Sequence, residues 1–138
     1  GQEYFENSVK TTGLEAKQYL EARAKVRKLQ ADFTALLDRE RIDAVVAPTN
    51  GPAWLTDLIN GDNSGQGCST FAAVTGFAHI TVPAGLVFGL PVGISFFGRA
   101  NDEGNLIRMA YAFERVAMAR RAPRYTPRSA PHAPYASA

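Results

Sequence analysis

The chain has 138 residues, enough for one domain, and its 46% hydrophobic and 20% charged residues are typical of an ordinary globular protein. Its 15 basic and 13 acidic residues leave a formal net charge of +2, which excludes a polyelectrolyte and gives no support to a strongly basic nucleic-acid binder. One cysteine excludes an intramolecular disulfide framework and a Cys-rich zinc site, and two histidines leave little for a His-based metal site.

The first 40 residues contain one helical pattern. Residues 1–13 are polar and are predicted to form an irregular lead. From residue 14 to residue 40, apolar residues recur at spacings of three and four, which predicts an amphipathic helix. The apolar face of such a helix could bind a partner or pack on its own domain. Packing on its own domain is preferred, since surface helices usually do so. The apolar stripe consists of Tyr19, Ala22, Val26, Leu29, Phe33, Leu36 and Leu37.

A short apolar run and a long loop follow this helix. The four apolar residues 44–47 show no alternation, which predicts a strand that is buried on both faces and ends at Pro48. Residues 49–67 are rich in Asn, Gly and Asp, and they are predicted to form a loop that contains the only tryptophan, Trp54. Loops of this length are usually functional or disordered.

The 36 residues from 63 to 98 contain no Asp, Glu, Lys or Arg. A membrane-spanning helix needs about 20 apolar residues, but repeated glycines and two prolines exclude one here. The pattern predicts a short buried helix at 71–74 ending near Gly76, a strand at 79–82 ended by Pro83, and an extended segment at 84–87. It then predicts a turn at Phe88-Gly89 and a strand at 90–97. Because strands that are apolar on both faces need a layer above and below, this segment is typical of the interior of a larger protein.

The last predicted helix covers residues 102–121, with an apolar stripe from Leu106 to Ala117. Asn101 or Asp102 can cap its N-terminus, and Arg120 and Arg121 suit the partial negative charge at its C-terminus. Residues 122–138 contain four of the eight prolines and are predicted to form a mobile tail. The free cysteine and the absence of a secretory signal pattern favour a cytoplasmic location.

One set of residues could carry chemistry within the chain. Cys68 is the lone thiol and precedes the predicted short helix, whose N-terminus lowers a thiol pKa. His79 could act as its general base, with Asp57 or Asp62 as the orienting carboxylate. Only composition supports this set, so the interpretation of Cys68 as a packing residue and His79 as a structural histidine is favoured. Asp57, Asp62 and Asp102 lack the spacing of a metal site, and we expect no metal and no cofactor.

Four ordered motifs in the second half of the chain carry a family resemblance. They are residues 43–49 (DAVVAPT), 52–57 (PAWLTD), 73–85 (AVTGFAHITVPAG) and 89–99 (GLPVGISFFGR). In this order and at this spacing they resemble the C-terminal part of the amidase signature family, over roughly residues 43–125. The family often has Pro where Ala78 stands, a departure that concerns the local turn.

The resemblance implies hydrolysis of carboxylic amides on a layered α/β/α fold, with the strands of a mixed sheet covered by helices. This chain would contribute residues 14–121 as the C-terminal region of that fold. The resemblance also implies a serine nucleophile, a second serine at a cis peptide bond and a lysine. No residue here matches those motifs, and the lysines all fall before or within the predicted amphipathic helix (Lys10, Lys17, Lys25 and Lys28). We therefore expect the catalytic residues upstream of this chain, and a chain that is inactive alone.

The resemblance also places a substrate pocket on this chain. It assigns lining positions to Cys68, Ser69, Thr70, Phe71 and Ala73, with Trp54 as a wall. For Phe71, packing in the core is as good an interpretation as lining the pocket. For Trp54, packing on the surface is as good an interpretation as forming a pocket wall.

The expected partners are the upstream region of the same amidase, a small-molecule amide substrate and further copies of this chain. No nucleic acid and no membrane span are expected. Two alternatives stay open: a non-catalytic binding or docking module, and a stand-alone cysteine hydrolase based on Cys68.

Overall fold

The computed structural model describes residues 1–61 and 67–123. Their helices and strands confirm the predicted α/β class. The chain divides into two compact units, Gly1–Ile42 and a second that begins at Asp43, whereas the sequence predicted one region from 14 to 121. In chain order the elements are α1 (Glu3–Val9), α2 (Lys17–Glu40), β1 (Val45–Pro48), α3 (Ser69–Thr75), β2 (His79–Val87), β3 (Leu90–Phe97) and α4 (Glu103–Ala117).

The first unit consists of two helices. The lead predicted to be irregular contains α1, whose first turn carries Glu3 and Glu6 where acidic groups favour the helix dipole. The predicted amphipathic helix is confirmed as α2, of which Leu37 is the one fully buried residue. It ends at Arg41, which adopts a left-handed conformation with φ of 54°. The Ile42 N–H then donates to the Leu37 carbonyl at 2.8 Å, as in a Schellman cap.

The second unit is built on a three-stranded antiparallel sheet in the order β1-β3-β2. The predicted turn at Phe88-Gly89 is confirmed, and both residues have positive φ, as a type I′ hairpin turn requires. The predicted end of the strand at Pro83 is wrong, because β2 continues to Val87. Pro83 is tolerated since β2 is an edge strand, and the register shifts between Pro83 and Gly85 at a bulge.

Helix α4 packs on one face of this sheet, mainly on β2. It ends at Met118, which is left-handed, so the predicted end at residue 121 is wrong and Arg115 is the basic residue of the last turn. Asp102 takes the N-cap position but makes no side-chain capping bond; its carboxylate accepts a hydrogen bond from the Asn105 side chain instead. The shared core consists of Ala78, Val82, Phe96, Leu106 and Ala110.

Strand β1 differs from its prediction. It was expected to be buried on both faces, but it is the other edge of the sheet, and Val46 is 50% exposed. Helix α4 packs on β2 and β3 and does not extend over β1 to a comparable degree. The predicted tail at 122–138 lies outside the described residues from position 124 onward.

Candidate functional site

Five of the six predicted pocket residues lie together around helix α3. Cys68 is the N-cap residue and is half-buried, while Ser69 and Thr70 are exposed in the first turn. Phe71 is half-buried and Ala73 is exposed. We call residues 68–73 the pocket segment. The helix ends at Gly76, whose φ of 70° is the left-handed conformation that glycine adopts at a helix C-terminus.

Phe71 belongs to an aromatic cluster that holds α3 against the sheet. Its ring centroid lies 5.7 Å from that of Phe97 on β3 and 6.2 Å from that of Phe77. His79 stands edge-on to Phe97 at 6.1 Å. These separations are typical of stabilising aromatic pairs. Phe71 therefore anchors the pocket segment whatever it contributes to a ligand.

The sixth predicted residue, Trp54, lies on the loop that follows β1 and is 43% exposed. On the same loop Asp57, once a candidate orienting carboxylate for His79, is engaged elsewhere. Its Oδ1 accepts the backbone N–H groups of Ile59 at 2.8 Å and Asn60 at 2.9 Å, and its Oδ2 accepts the Asn60 side chain at 2.8 Å. Asp62, the other candidate, lies outside the described residues.

Cys68 and His79 lie close to each other, as the cysteine-hydrolase hypothesis requires. The thiol Sγ and the imidazole Nε2 are 4.0 Å apart, and both residues are half-buried. This distance is long for an activated nucleophile and its base, which usually lie within about 3.2 Å. Cys68 and His79 are thus adjacent, whereas Asp57, one of the two candidate orienting carboxylates, is engaged in its own turn.

Sequence analysis missed a cluster of three hydroxyl groups on the same face of the sheet as Phe97. Ser95 Oγ lies 2.8 Å from Thr49 Oγ1 and 2.7 Å from Thr81 Oγ1, and the two threonine hydroxyls also contact each other. We call Thr49, Thr81 and Ser95 the hydroxyl cluster. Ser95 is completely buried. Cross-strand pairing brings these residues together, since Ser95 is the register partner of Thr81, and register is not readable from one strand.

An apolar groove was also missed. Its volume is about 440 Å³, and Asn50 is the one polar side chain in its lining. None of the six predicted pocket residues borders it. The signal available in the sequence was the density of Val and Pro at the ends of the strands. The lining residues are Val46, Ala47, Pro48, Asn50, Pro52, Ala84, Val87, Val92, Gly93 and Ile94.

Over residues 1–61 and 67–123, no group of three or more His, Cys, Asp or Glu side chains is arranged to hold a metal ion. No helix there is both long and apolar enough to cross a membrane.

Comparison with solved structures identifies close structural neighbours. The peptide amidase from Stenotrophomonas maltophilia is 42% identical, with a TM-score of 0.78 over 90% of this chain and 25% of that chain. A peptide amidase in complex with the competitive inhibitor chymostatin is 41% identical, with a TM-score of 0.83 over 91% of this chain and 26% of that chain. The α/β architecture of this chain is thus that of part of an amidase.

Comparison with curated sequences agrees. An Arabidopsis thaliana protein named "Probable amidase" is 31% identical over 127 residues, which is 91% of this chain and 22% of that protein. A glutamyl-tRNA(Gln) amidotransferase subunit from Pseudomonas fluorescens is 31% identical over 70% of this chain and 20% of its own length. The chain thus spans about a fifth of these curated relatives. No model in a scan of protein families matches it. The resemblance carried by the sequence motifs is confirmed, and the chain belongs to the amidase signature family.

Proposed function

We propose that this chain is the C-terminal region of an amidase that hydrolyses carboxamide C–N bonds and that it is inactive without the remainder of the enzyme. The observation that carries the proposal is the 42% identity to a peptide amidase across 90% of the chain, at a TM-score of 0.78. The same neighbour extends to about four times this length, since the match covers 25% of it. We assign the catalytic residues to the part of such an enzyme that this chain does not match.

The chemistry is that of a serine amidase. A serine hydroxyl attacks the amide carbonyl, a second serine and a neutral lysine take up its proton, and backbone N–H groups stabilise the oxyanion. The proton then goes to the departing nitrogen, and water hydrolyses the acyl-enzyme. We assign these groups to the region upstream of this chain, because no residue here matches the catalytic motifs of the family. The four lysines of this chain all precede residue 29, before or within the amphipathic helix. Two of them form exposed ion pairs on α2, Lys17 with Glu21 at 3.8 Å and Lys28 with Asp32 at 2.6 Å.

The contribution that we assign to this chain is one side of the substrate pocket. Exposed Ser69, Thr70 and Ala73 offer small polar and apolar groups, and Phe71 gives the segment a rigid base. Trp54 would form a wall on the loop. A few polar groups on an otherwise apolar, rigid surface are typical of a small-molecule site.

Complementation tests the proposal. The chain is assayed for ammonia release from a peptide amide, alone and mixed with the separately expressed upstream region of its own amidase. We expect hydrolysis in the mixture and none from either part. A matched mixture in which the upstream serine nucleophile is replaced by alanine must be inactive. Hydrolysis by this chain alone would overturn the assignment of the catalytic residues to the upstream region.

The cysteine-hydrolase alternative is carried by the contact between Cys68 and His79. It requires activity from the chain alone that is lost in Cys68→Ala. A docking module, the other alternative, requires binding to the upstream region without hydrolysis in the mixture. The hydrolysis assay, extended by the Cys68→Ala variant and by a binding measurement on the mixture, therefore separates the three functions.

A further inference from the structure

The backbone of Thr49 joins three separate parts of the second unit. Its N–H donates to the Gly93 carbonyl on β3 at 2.9 Å. Its carbonyl accepts the N–H of Cys68 at 3.1 Å. Thr49 directly follows β1 and Cys68 directly precedes α3, so these two bonds fix where α3 begins relative to the sheet.

The side chain of Thr49 secures the same point. Its hydroxyl lies 2.8 Å from that of Ser95, which is completely buried, and it also contacts the hydroxyl of Thr81. The Thr81 hydroxyl in turn donates to the Ile94 carbonyl at 3.2 Å. Displacement of Thr49 would break its hydrogen bond to the buried Ser95, which would keep only Thr81 as a side-chain partner in this cluster, so the hydroxyl cluster resists that displacement by about one hydrogen bond.

Two glycines let the backbone close on this point. A Cβ at Gly93 would lie 2.8 Å from Thr49 Oγ1, and one at Gly67 would lie 3.3 Å from the Thr49 carbonyl oxygen and collide with the Asn50 side chain. Neither Gly67 nor Gly93 has a positive φ. Space and not backbone conformation is therefore what these two positions require.

We propose that Thr49 is the positioning residue of the substrate pocket: it fixes the pocket segment against the sheet through the hydroxyl cluster and the Cys68 N–H. A helix of seven residues cannot hold its own place, because helices this short are unstable alone. The ring of Phe71 on Phe97 and the buried Ala72 and Thr75 also hold this helix in place. The role of this point in catalysis rests on the proposed function, whereas its role in placing Cys68 does not.

Cys68 is a native reporter for the test, since it is the only cysteine. In Thr49→Val, which keeps the volume and removes the hydroxyl, we expect iodoacetamide to modify Cys68 roughly three to ten times faster, the factor set by one lost hydrogen bond. The Cys68 amide should exchange its hydrogen faster by a similar factor. The matched control is Thr34→Val, whose hydroxyl donates to the Gln30 carbonyl within α2 at 2.9 Å, and it should change neither rate.

Rates for Thr49→Val that stay within about twofold of the wild type would overturn the proposal. If circular dichroism shows that Thr49→Val fails to fold, Thr81→Val serves in its place, because Thr81 is exposed and contributes to the same cluster. In the complemented amidase, Thr49→Val should raise KM several-fold with kcat nearly unchanged. If the wild-type mixture hydrolyses no amide, the proposed function fails, and the Cys68 rates still decide the role of Thr49.

Discussion

At the scale of single residues, Asp57 shows how a candidate catalytic group can have another task. Its carboxylate oxygens accept hydrogen bonds from Ile59 and Asn60, and its backbone carbonyl accepts the Gly61 N–H at 3.1 Å. A side chain that bonds the backbone two and three residues ahead is typical of an Asx turn. Asp57 therefore shapes the loop that carries Trp54, and its carboxylate oxygens are engaged within that loop.

The Asp57 turn should respond to acid. The backbone N–H of Asn60, with smaller contributions from its side chain and from the Ile59 N–H, holds the pKa of Asp57 below its ordinary value of 3.8. Because the pKa is lower in the folded chain, the turn is stabilised above the ordinary value and loses that stability as the pH falls through the folded pKa. In an NMR titration we expect the Ile59 and Asn60 amide shifts to inflect below pH 3.8. Asp57→Asn should remove the inflection, and a midpoint at or above the ordinary value would contradict this account.

At the scale of elements, the second unit depends on where its helices end and on which helix face is buried. Helix α3 stops at left-handed Gly76 and α4 at left-handed Met118. Along α4, Leu106 and Ala110 are buried four residues apart, as the faces of a helix require, while Ile107 is 56% exposed. The same helix thus contains both core and surface positions for controlled comparison.

Two glycines should respond in opposite directions to alanine. Gly76→Ala forces a side chain into a φ of 70°, and we expect a loss of about 1 kcal/mol in the free energy of unfolding. Gly104 lies within α4 with nothing near its would-be Cβ, so Gly104→Ala should gain about 0.4–1 kcal/mol. Urea unfolding measures both. Equal effects of the two substitutions would show that the conformation at Gly76 is not what matters.

The core under α4 should depend on Leu106. It is completely buried and packs against Gly98, whose would-be Cβ lies 3.4 Å from Leu106 Cδ2. Leu106→Ala leaves a cavity, and we expect a loss of about 2–5 kcal/mol in the free energy of unfolding. Ile107→Ala, on the exposed face of the same turn, should cost about 0.5 kcal/mol or less. Chemical denaturation of the two variants checks this, and similar midpoints would be the contrary result.

At the scale of the whole molecule, much apolar surface stays uncovered. The groove beside β1 continues the sheet face on which α4 packs, and Val46 and Val87 in its lining are 50% and 39% exposed. The exposed tip of the loop adds Leu58 and Ile59. Apolar patches of this kind mark interaction surfaces. This agrees with a chain that matches only 25% of a peptide amidase.

The isolated chain should therefore associate or bind a hydrophobic dye. Val46→Lys places a charge in the apolar groove, and we expect it to lower dye fluorescence and self-association markedly. Val116→Lys is the matched control, because Val116 is 87% exposed on α4 and does not line the groove. Fluorescence titration and analytical ultracentrifugation measure the two effects. Equal behaviour of both variants would show that the groove is not the associating surface.

The elements that sequence analysis predicted well are those specified by local pattern. Spacing of three and four gives α2, and the uncharged run around Phe88-Gly89 gives β3 with its observed bounds. The extension of β2 past Pro83 was missed, because only its place at the sheet edge makes proline acceptable there.

Site features that arise from cross-strand contact were not predictable in the same way. The groove and the hydroxyl cluster join residues more than 30 positions apart, such as Thr49 and Thr81, and nothing local marks them as neighbours. The pocket residues were identified by family resemblance, and all six, five in the pocket segment and Trp54 on the loop, stay a prediction. Phe71 illustrates the difference, since its packing on Phe97 joins two residues that are 26 positions apart in the sequence.

The two borders of the sheet differ in their capacity to recruit another strand. Along β2, Pro83 removes a backbone donor and the adjacent bulge disturbs the spacing, two devices that blunt strand addition. Along β1, residues 45–47 keep their full set of donors and acceptors, and proline comes only at position 48. A further strand would therefore pair more readily at the β1 edge than at the β2 edge. That strand could belong to the same enzyme or to another molecule in an aggregate.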